Sequence, residues 1–295
     1  MDFFRCHWMG IVVSIGLGIV PFFWFPPGTV DIGGDGGRLY FYDPVHLIQN
    51  LGFYYVWPQG TGFVAAPFSR IPFFGLLAAA SAVIGDMHLL ASLYNAMKLV
   101  LSFTSVYAII LILSEPIYAG KHTFTKMVAA VVGGLFYIFN PAMTENYIRA
   151  LPSHDQVFLN PLLVYLFIQF LLSGHIRYIT ISIVLSIAYS IVYSYTSAPP
   201  IFAFFPIAVL FCFFYAAWIR KVSVPWMRLV LVSIIFLGVH AFHLLPELHD
   251  VFDAANSTTS RVFDKADASE QVTYFLSVLP IPKVSLRWFA ASLWM

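Results

Sequence analysis

Residues 8–26 read WMGIVVSIGLGIVPFFWFP, and residues 31–44 read DIGGDGGRLYFYDP. The first run has about the 20 apolar residues that a helix needs to cross a bilayer's hydrocarbon core. It ends in FFWFPP without a small-residue cleavage site, so it reads as a retained first helix rather than a signal peptide. The second run packs three aspartates, four glycines and an arginine into fourteen residues. An apolar helix that opens directly into an acidic, glycine-rich loop sets the reading of the whole chain.

Composition agrees with that start. Hydrophobic residues make up 60% of the 295 and charged residues 10%, with a mean hydropathy of +0.83. Soluble domains carry about 25% charged residues, so this chain belongs with membrane proteins. A net charge of +1 leaves no clustered basic surface of the kind that nucleic acid requires. Cys6 and Cys212 both lie at or inside apolar segments and read as packed thiols, not as a disulfide framework.

The expected fold is all-α, a polytopic membrane helix bundle of about seven or eight spans. Candidate spans are 8–26, 87–113, 125–143, 157–173, 177–198, 200–219 and 226–246, with an incomplete one after 273. Segment 71–85 (IPFFGLLAAASAVIG) is apolar but short, which fits a re-entrant or interfacial helix. Lys121 and Lys126, His175 and Arg177, and Arg220, Lys221 and Arg228 mark three short basic connections. The positive-inside rule puts them in the cytoplasm together with Arg5 and the N-terminus. The alternation then works only if 71–85 does not cross.

The external face accordingly holds loop 27–86, segment 144–156, the Pro199–Pro200 turn and loop 247–272. Asp31, Asp35, Asp43, Asp86, Glu145, Asp155, Glu247, Asp250 and Asp253 all fall there. Residues 1–295 read as one membrane domain in the cell membrane. The chain stops inside the apolar run SLRWFAASLWM, and the expectation is the N-terminal portion of a longer protein or a truncated gene. Asn256-Ser-Thr is a sequon of the kind that arises often by chance.

Several polar groups in this acidic face could carry chemistry. Glycine pairs let a backbone approach a ligand closely, and a carboxylate just outside a membrane helix can take a proton from an incoming hydroxyl. Asp43 before Pro44 reads first as a helix cap, whereas capping explains Asp35 less well. Segment 139–161 gathers Glu145, Arg149, His154 and Asp155 between apolar spans. Arg149 offers a planar fork for phosphate, or else anchors an ordinary polar loop. His154 and Asp155 are adjacent and point apart on regular structure, a weak metal signal. His240, His243 and Glu247 share helical spacing, but Pro246 interrupts them, and interfacial structural histidines fit better. Lys98 lies inside span 87–113, where a charge usually faces a cavity or a partner. The chain contains no phosphate-binding glycine loop, nucleophile elbow, CxxC pair or dinucleotide fingerprint.

Three patches carry a resemblance. They are Asp35-GGRLYFY-Asp43-Pro44, YYVWPQGTGF at 54–63, and GGLFYIFNPAMTENYIRALPSHDQVFLNPLL at 133–163. In this layout the chain resembles the GT-C superfamily of membrane glycosyltransferases over about residues 8–250. Within it the chain looks most like the N-terminal membrane domain of α-(1→3)-arabinofuranosyltransferases. The resemblance implies a polyprenyl-phosphate-linked sugar as donor, a cell-envelope glycan or glycolipid as acceptor, and inverting transfer on the external face. It implies an aspartate base, Asp35, with Asp31 as the alternate because the extra glycines blur the alignment. Arg149, Arg38 and Arg70 are the candidates for the donor phosphate. Glu145, His154, Asp155 and His243 are candidates for substrate or for a divalent cation as cofactor. The rival expectations are a transporter or lipid flippase, and a non-catalytic relative in envelope assembly.

Overall fold

Aspartate, proline and glycine set the helix ends. In the computed structural model, residues 2–29, 43–51, 71–118, 123–141, 143, 156–188, 199–223 and 226–256 are described. Helix α1 (Asp2–Ile19) tightens into a 3₁₀ turn at Val20–Phe23, where Pro21 enters. Asp43 caps α2 (Pro44–Leu51), its Oδ1 accepting the His46 N–H at 2.9 Å, as the Asp-Pro pair predicts. Helix α3 (Ile71–Ile84) ends at Gly85, whose φ of +69° favours glycine. Asp86 then starts α4 (Met87–Tyr118), with Oδ1 accepting the N–H groups of His88 at 2.8 Å and Leu89 at 3.2 Å.

Five further elements follow among the described residues. They are α5 (Thr123–Phe139), α6 (Gln156–Ser173), α7 (Ile176–Ala188), α8 (Pro199–Phe214) with a π turn at Tyr215–Ile219, and α9 (Trp226–Asn256). No strand occurs among the described residues. By length and composition, Met87–Pro116 is the helix among them long and apolar enough to cross a membrane, and the others are shorter apolar stretches. Segment 71–85 is a helix of 14 residues, about 21 Å at 1.5 Å per residue, so it falls short of a bilayer core. Some boundaries differ from expectation: α4 runs past 113 to Tyr118, Pro199 and Pro200 open α8 instead of forming a turn, and α9 runs through Pro246 to Asn256, ten residues into the segment expected as an external loop. The stretch after Pro246 holds no further glycine or proline to stop a helix.

The packing alternates in direction. His7 of α1 meets Tyr107 late in α4, while Thr29, past the 3₁₀ turn that follows α1, meets His88 at the start of α4, so the two helices run antiparallel. Helices α4 and α5 are antiparallel as well, with Phe103 against Gly134 and a shared cluster of Leu99, Phe103, Ala130 and Ile138. Helix α6 runs parallel to α4, since Ser102 meets Phe158 near one end while Ile109 and Ile112 pack with the Ile168 cluster near the other. At the α4 C-terminal end, Arg220 Nη1 reaches Glu115 Oε2 at 2.6 Å, a contact that holds the Arg220 pKa above its ordinary value. Arg228 donates to the Leu171 carbonyl at 3.3 Å. These contacts bring the α4, α6 and α8 C-terminal ends and the start of α9 together, so the basic connections cluster at one end of the bundle.

Outer helix faces carry exposed Val83, Phe136, Ile207, Trp218 and Ile234, while Asn95, Lys98, Ser102 and Ser105 are buried. That is the reverse of a water-soluble helix pair, where the polar face looks outward. The chain divides into two compact units, Met1–Glu247 and Leu248–Met295. Of the second, the described part is the last turns of α9.

Candidate functional site

Helix α4 carries Asn95, Lys98, Ser102 and Ser105 at spacings of three and four, which puts them on one helical face. Burying such groups is costly unless they are satisfied. Ser102 bridges two helices: its hydroxyl lies 2.7 Å from the Lys98 carbonyl and 2.9 Å from the Phe158 carbonyl on α6. Pro161, inside α6, has no N–H for the Val157 carbonyl, so the α6 hydrogen-bond ladder is already interrupted beside Phe158.

The Lys98 side chain is 3% exposed. Its Nζ sits 5.0 Å from the centroids of both the Tyr94 and the Phe158 rings. Two aromatic faces against an ammonium replace part of its lost hydration. Helical side chains tilt toward the helix N-terminus, and Lys98 follows that tilt back over Tyr94, four residues earlier. Asn95 is 2% exposed, and neither its Oδ1 nor Ser105 Oγ has a hydrogen-bond partner among the described residues. Most native buried polar groups are satisfied, so an orphan beside a buried cation marks a place where stability is given up.

The histidines of α9 read differently. His240 is fully buried, with Nε2 at 2.9 Å from Ser186 Oγ on α7 and its ring 4.4 Å from Phe236. Ser186 spends its proton on the Ile183 carbonyl at 2.9 Å, so it accepts and His240 carries hydrogen on Nε2. That nitrogen is thereby engaged in structure, in line with the structural reading. His243 lies on the same helix, and its side chain is outside the described residues. Among the described residues no group of three or more His, Cys, Asp or Glu could hold a metal.

Asp31, Asp35, Arg38, Arg70, Glu145, Arg149, His154 and Asp155 all lie outside the described residues. Their chain neighbours are placed. Thr29, two residues before Asp31, accepts a hydrogen bond from His88 Nδ1 at 2.8 Å. Asp155 precedes Phe158, whose ring covers Lys98, by three residues of sequence. A groove of about 570 Å³ between α1, α4 and α6 is lined by His7, Ser14, Thr104, Tyr107, Tyr165 and Gln169, among others. Among the described residues its lining holds no lysine, arginine or carboxylate. Sequence reading singled out Lys98 but missed Asn95, Ser102 and the Tyr94 and Phe158 rings. The three-and-four spacing of small polar residues along an apolar helix is the signal that finds the first two.

Comparison with protein-family models, curated proteins and solved structures finds no match for this chain.

Proposed function

We propose that this chain is a polytopic membrane glycosyltransferase of the GT-C type. It transfers a sugar from a polyprenyl-phosphate-linked donor to a hydroxyl of a cell-envelope glycan on the external face. Asp35, or Asp31 in its place, takes the proton of the acceptor hydroxyl. The acceptor oxygen attacks the anomeric carbon with inversion, and the bond to the lipid phosphate oxygen breaks with its electron pair. Arg149, with Arg38 and Arg70 as alternates, steadies the departing phosphate. The short helix α3, beside the start of α4 through Phe73 and Tyr94, is read as interfacial or re-entrant.

The observation that carries this reading is the 2.8 Å hydrogen bond from His88 Nδ1 to the Thr29 carbonyl. It ties Thr29, two residues before Asp31 in sequence, to the start of α4, the end of that helix away from Glu115 and Arg220. Thr29, which leads in sequence to Asp31 and Asp35, thus lies at the end opposite the Glu115–Arg220 pair, and that separation supports an external carboxylate chemistry under the positive-inside rule. The apolar outer faces of α5, α8 and α9 support burial in lipid.

The test is transfer by the full chain in nanodiscs, from polyprenyl-phosphate-linked arabinofuranose to a glycan acceptor. Asp35→Asn keeps shape and removes basicity, so the rate is expected to fall by about 10²–10⁴. Wild-type transfer by both Asp35→Asn and Asp31→Asn would sink the aspartate-base mechanism. A flippase, the rival suggested by the buried Lys98, predicts movement of the lipid-linked sugar between leaflets with no glycosidic product.

A further inference from the structure

Arginine presents a planar fork of N–H groups, and Arg228 spends little of its fork on the protein. It lies in the first turn of α9, and its Nη1 donates to the Leu171 carbonyl at 3.3 Å. The guanidinium rests against Gly174, where an added Cβ would stand 2.6 Å from Nη2 and 2.8 Å from Cζ. Gly174, with φ +74°, makes the turn from α6 into α7, so the fork is seated in that corner. Arg177 follows three residues on and is exposed. Its Nη2 donates to the Tyr178 hydroxyl at 3.0 Å, and its guanidinium sits 4.9 Å from the centre of the same ring. Tyr178 and Leu229 pack on one apolar cluster with Leu171 and Phe213, which holds the starts of α7 and α9 side by side.

Charge and depth point to the same occupant. Among the described side chains at this end the carboxylate is Glu115, and Arg220 already holds it at 2.6 Å. Arg177 and Arg228 have no carboxylate beside them among the described residues, and exposed Lys221 adds to the positive charge. Trp218, in the π turn, and Trp226, which opens α9, are both exposed, and the Trp226 ring lies 4.5 Å from that of Phe213. Tryptophans in such positions gather at the headgroup level of a bilayer, where lipid phosphates stand. We propose that Arg177 and Arg228, across the Gly174 turn, form a headgroup site for an anionic glycerophospholipid of the leaflet at the basic end. The Arg228 fork takes phosphate oxygens, and Arg177 adds a second charge. A lipid fits better than a free phosphate because exposed apolar Met227 and Val230 flank Arg228 on α9 and suit acyl chains. The site does not depend on the glycosyltransferase reading, since a transporter or a scaffold in the same bilayer would carry it equally.

The test places the full chain in phosphatidylcholine nanodiscs with a trace of phosphatidylglycerol that is photoreactive near its phosphate. Crosslinks are expected on residues 171–178 and 226–230. Unlabelled phosphatidylglycerol should displace them, whereas phosphatidylcholine, glycerol phosphate and inorganic phosphate should not. Arg228→Gln and Arg177→Gln are each expected to weaken binding by about fivefold, the usual share of one basic residue near an anionic leaflet. Arg228→Lys keeps the charge and loses the fork, so it should fall in between. Arg220→Gln removes the same formal charge, but that arginine is spent on Glu115, so binding should be nearly unchanged. A diffuse basic surface predicts equal loss for all three arginines, and that result overturns the site. Displacement by glycerol phosphate or inorganic phosphate overturns it too, in favour of a soluble anion. Should Arg228→Gln loosen the Gly174 turn and fail to fold, exposed Arg177→Gln decides alone, and unchanged binding by that variant overturns the proposal.

Discussion

The Tyr215 hydroxyl donates to the Ile112 carbonyl across 2.8 Å, joining the π turn after α8 to the last turns of α4. Pro116 explains why that carbonyl is open: it lies four residues on, inside α4, and has no N–H to return. Tyr215→Phe is therefore expected to cost about 0.5–1.5 kcal/mol, the net worth of a hydrogen bond at a half-buried acceptor. With Pro116→Ala the helical donor returns, and the same tyrosine change should then cost far less. A double-mutant cycle on thermal unfolding in detergent measures the difference, and independent effects would disprove the linkage.

Gly133 and Gly134 of α5 face α4 and should respond unequally to alanine. A Cβ on Gly134 would stand 2.7 and 2.8 Å from ring carbons of Phe103, which is fully buried. On Gly133 the nearest atom is the Cδ1 tip of Ile110, which can swing away. Gly134→Ala is expected to destabilise by about 1–3 kcal/mol through overpacking. Gly133→Ala should be closer to neutral, since helix propensity returns up to about 1 kcal/mol. Equal loss of Tm in the two variants would contradict this packing.

At the basic end, the ion pair and the helix stop should differ in weight. Glu115 and Arg220 are 61% and 27% exposed, so Glu115→Gln is expected to change stability by about 0–1 kcal/mol. Gly174, which ends α6, has φ +74°, and a Cβ there would meet Arg228 Nη2 at 2.6 Å. Gly174→Ala is expected to cost about 1–2 kcal/mol from the backbone alone, plus displacement of Arg228. Unfolding curves that rank Glu115→Gln as the more damaging change would reverse this assignment.

Topology gives a labelling test. In a background without native cysteines, Thr29→Cys, Ser69→Cys and Asp86→Cys should react with an impermeant thiol reagent from outside intact cells. Ser223→Cys, between Arg220 and Arg228, should react only after permeabilisation. Reaction of Ser69→Cys and Asp86→Cys from opposite sides would make α3 a crossing helix and invert the faces of everything after it.

Much of the helix layout was legible in the sequence because its signals are local. Asp43 with Pro44, and Gly85 with Asp86, fix helix ends through one-residue backbone and capping preferences, and apolar run length does the rest. The end of α9 was not legible, because a proline weakens a helix without always stopping it, and the outcome depends on the residues after it. Charge placement alone led to the expectation of an acidic external face with Asp35 and Arg149 on it, and both lie outside the described residues. Only the tertiary structure decided which side of α4 is buried. The sequence shows a stripe of Asn95, Lys98, Ser102 and Ser105 along α4, but not which helix packs against it. Packing of α6 through Phe158 turned Asn95, Lys98 and Ser102 inward, and packing of α7 paired Ser186 with His240. Those contacts join residues 54 to 60 positions apart, and no local preference along the chain encodes them.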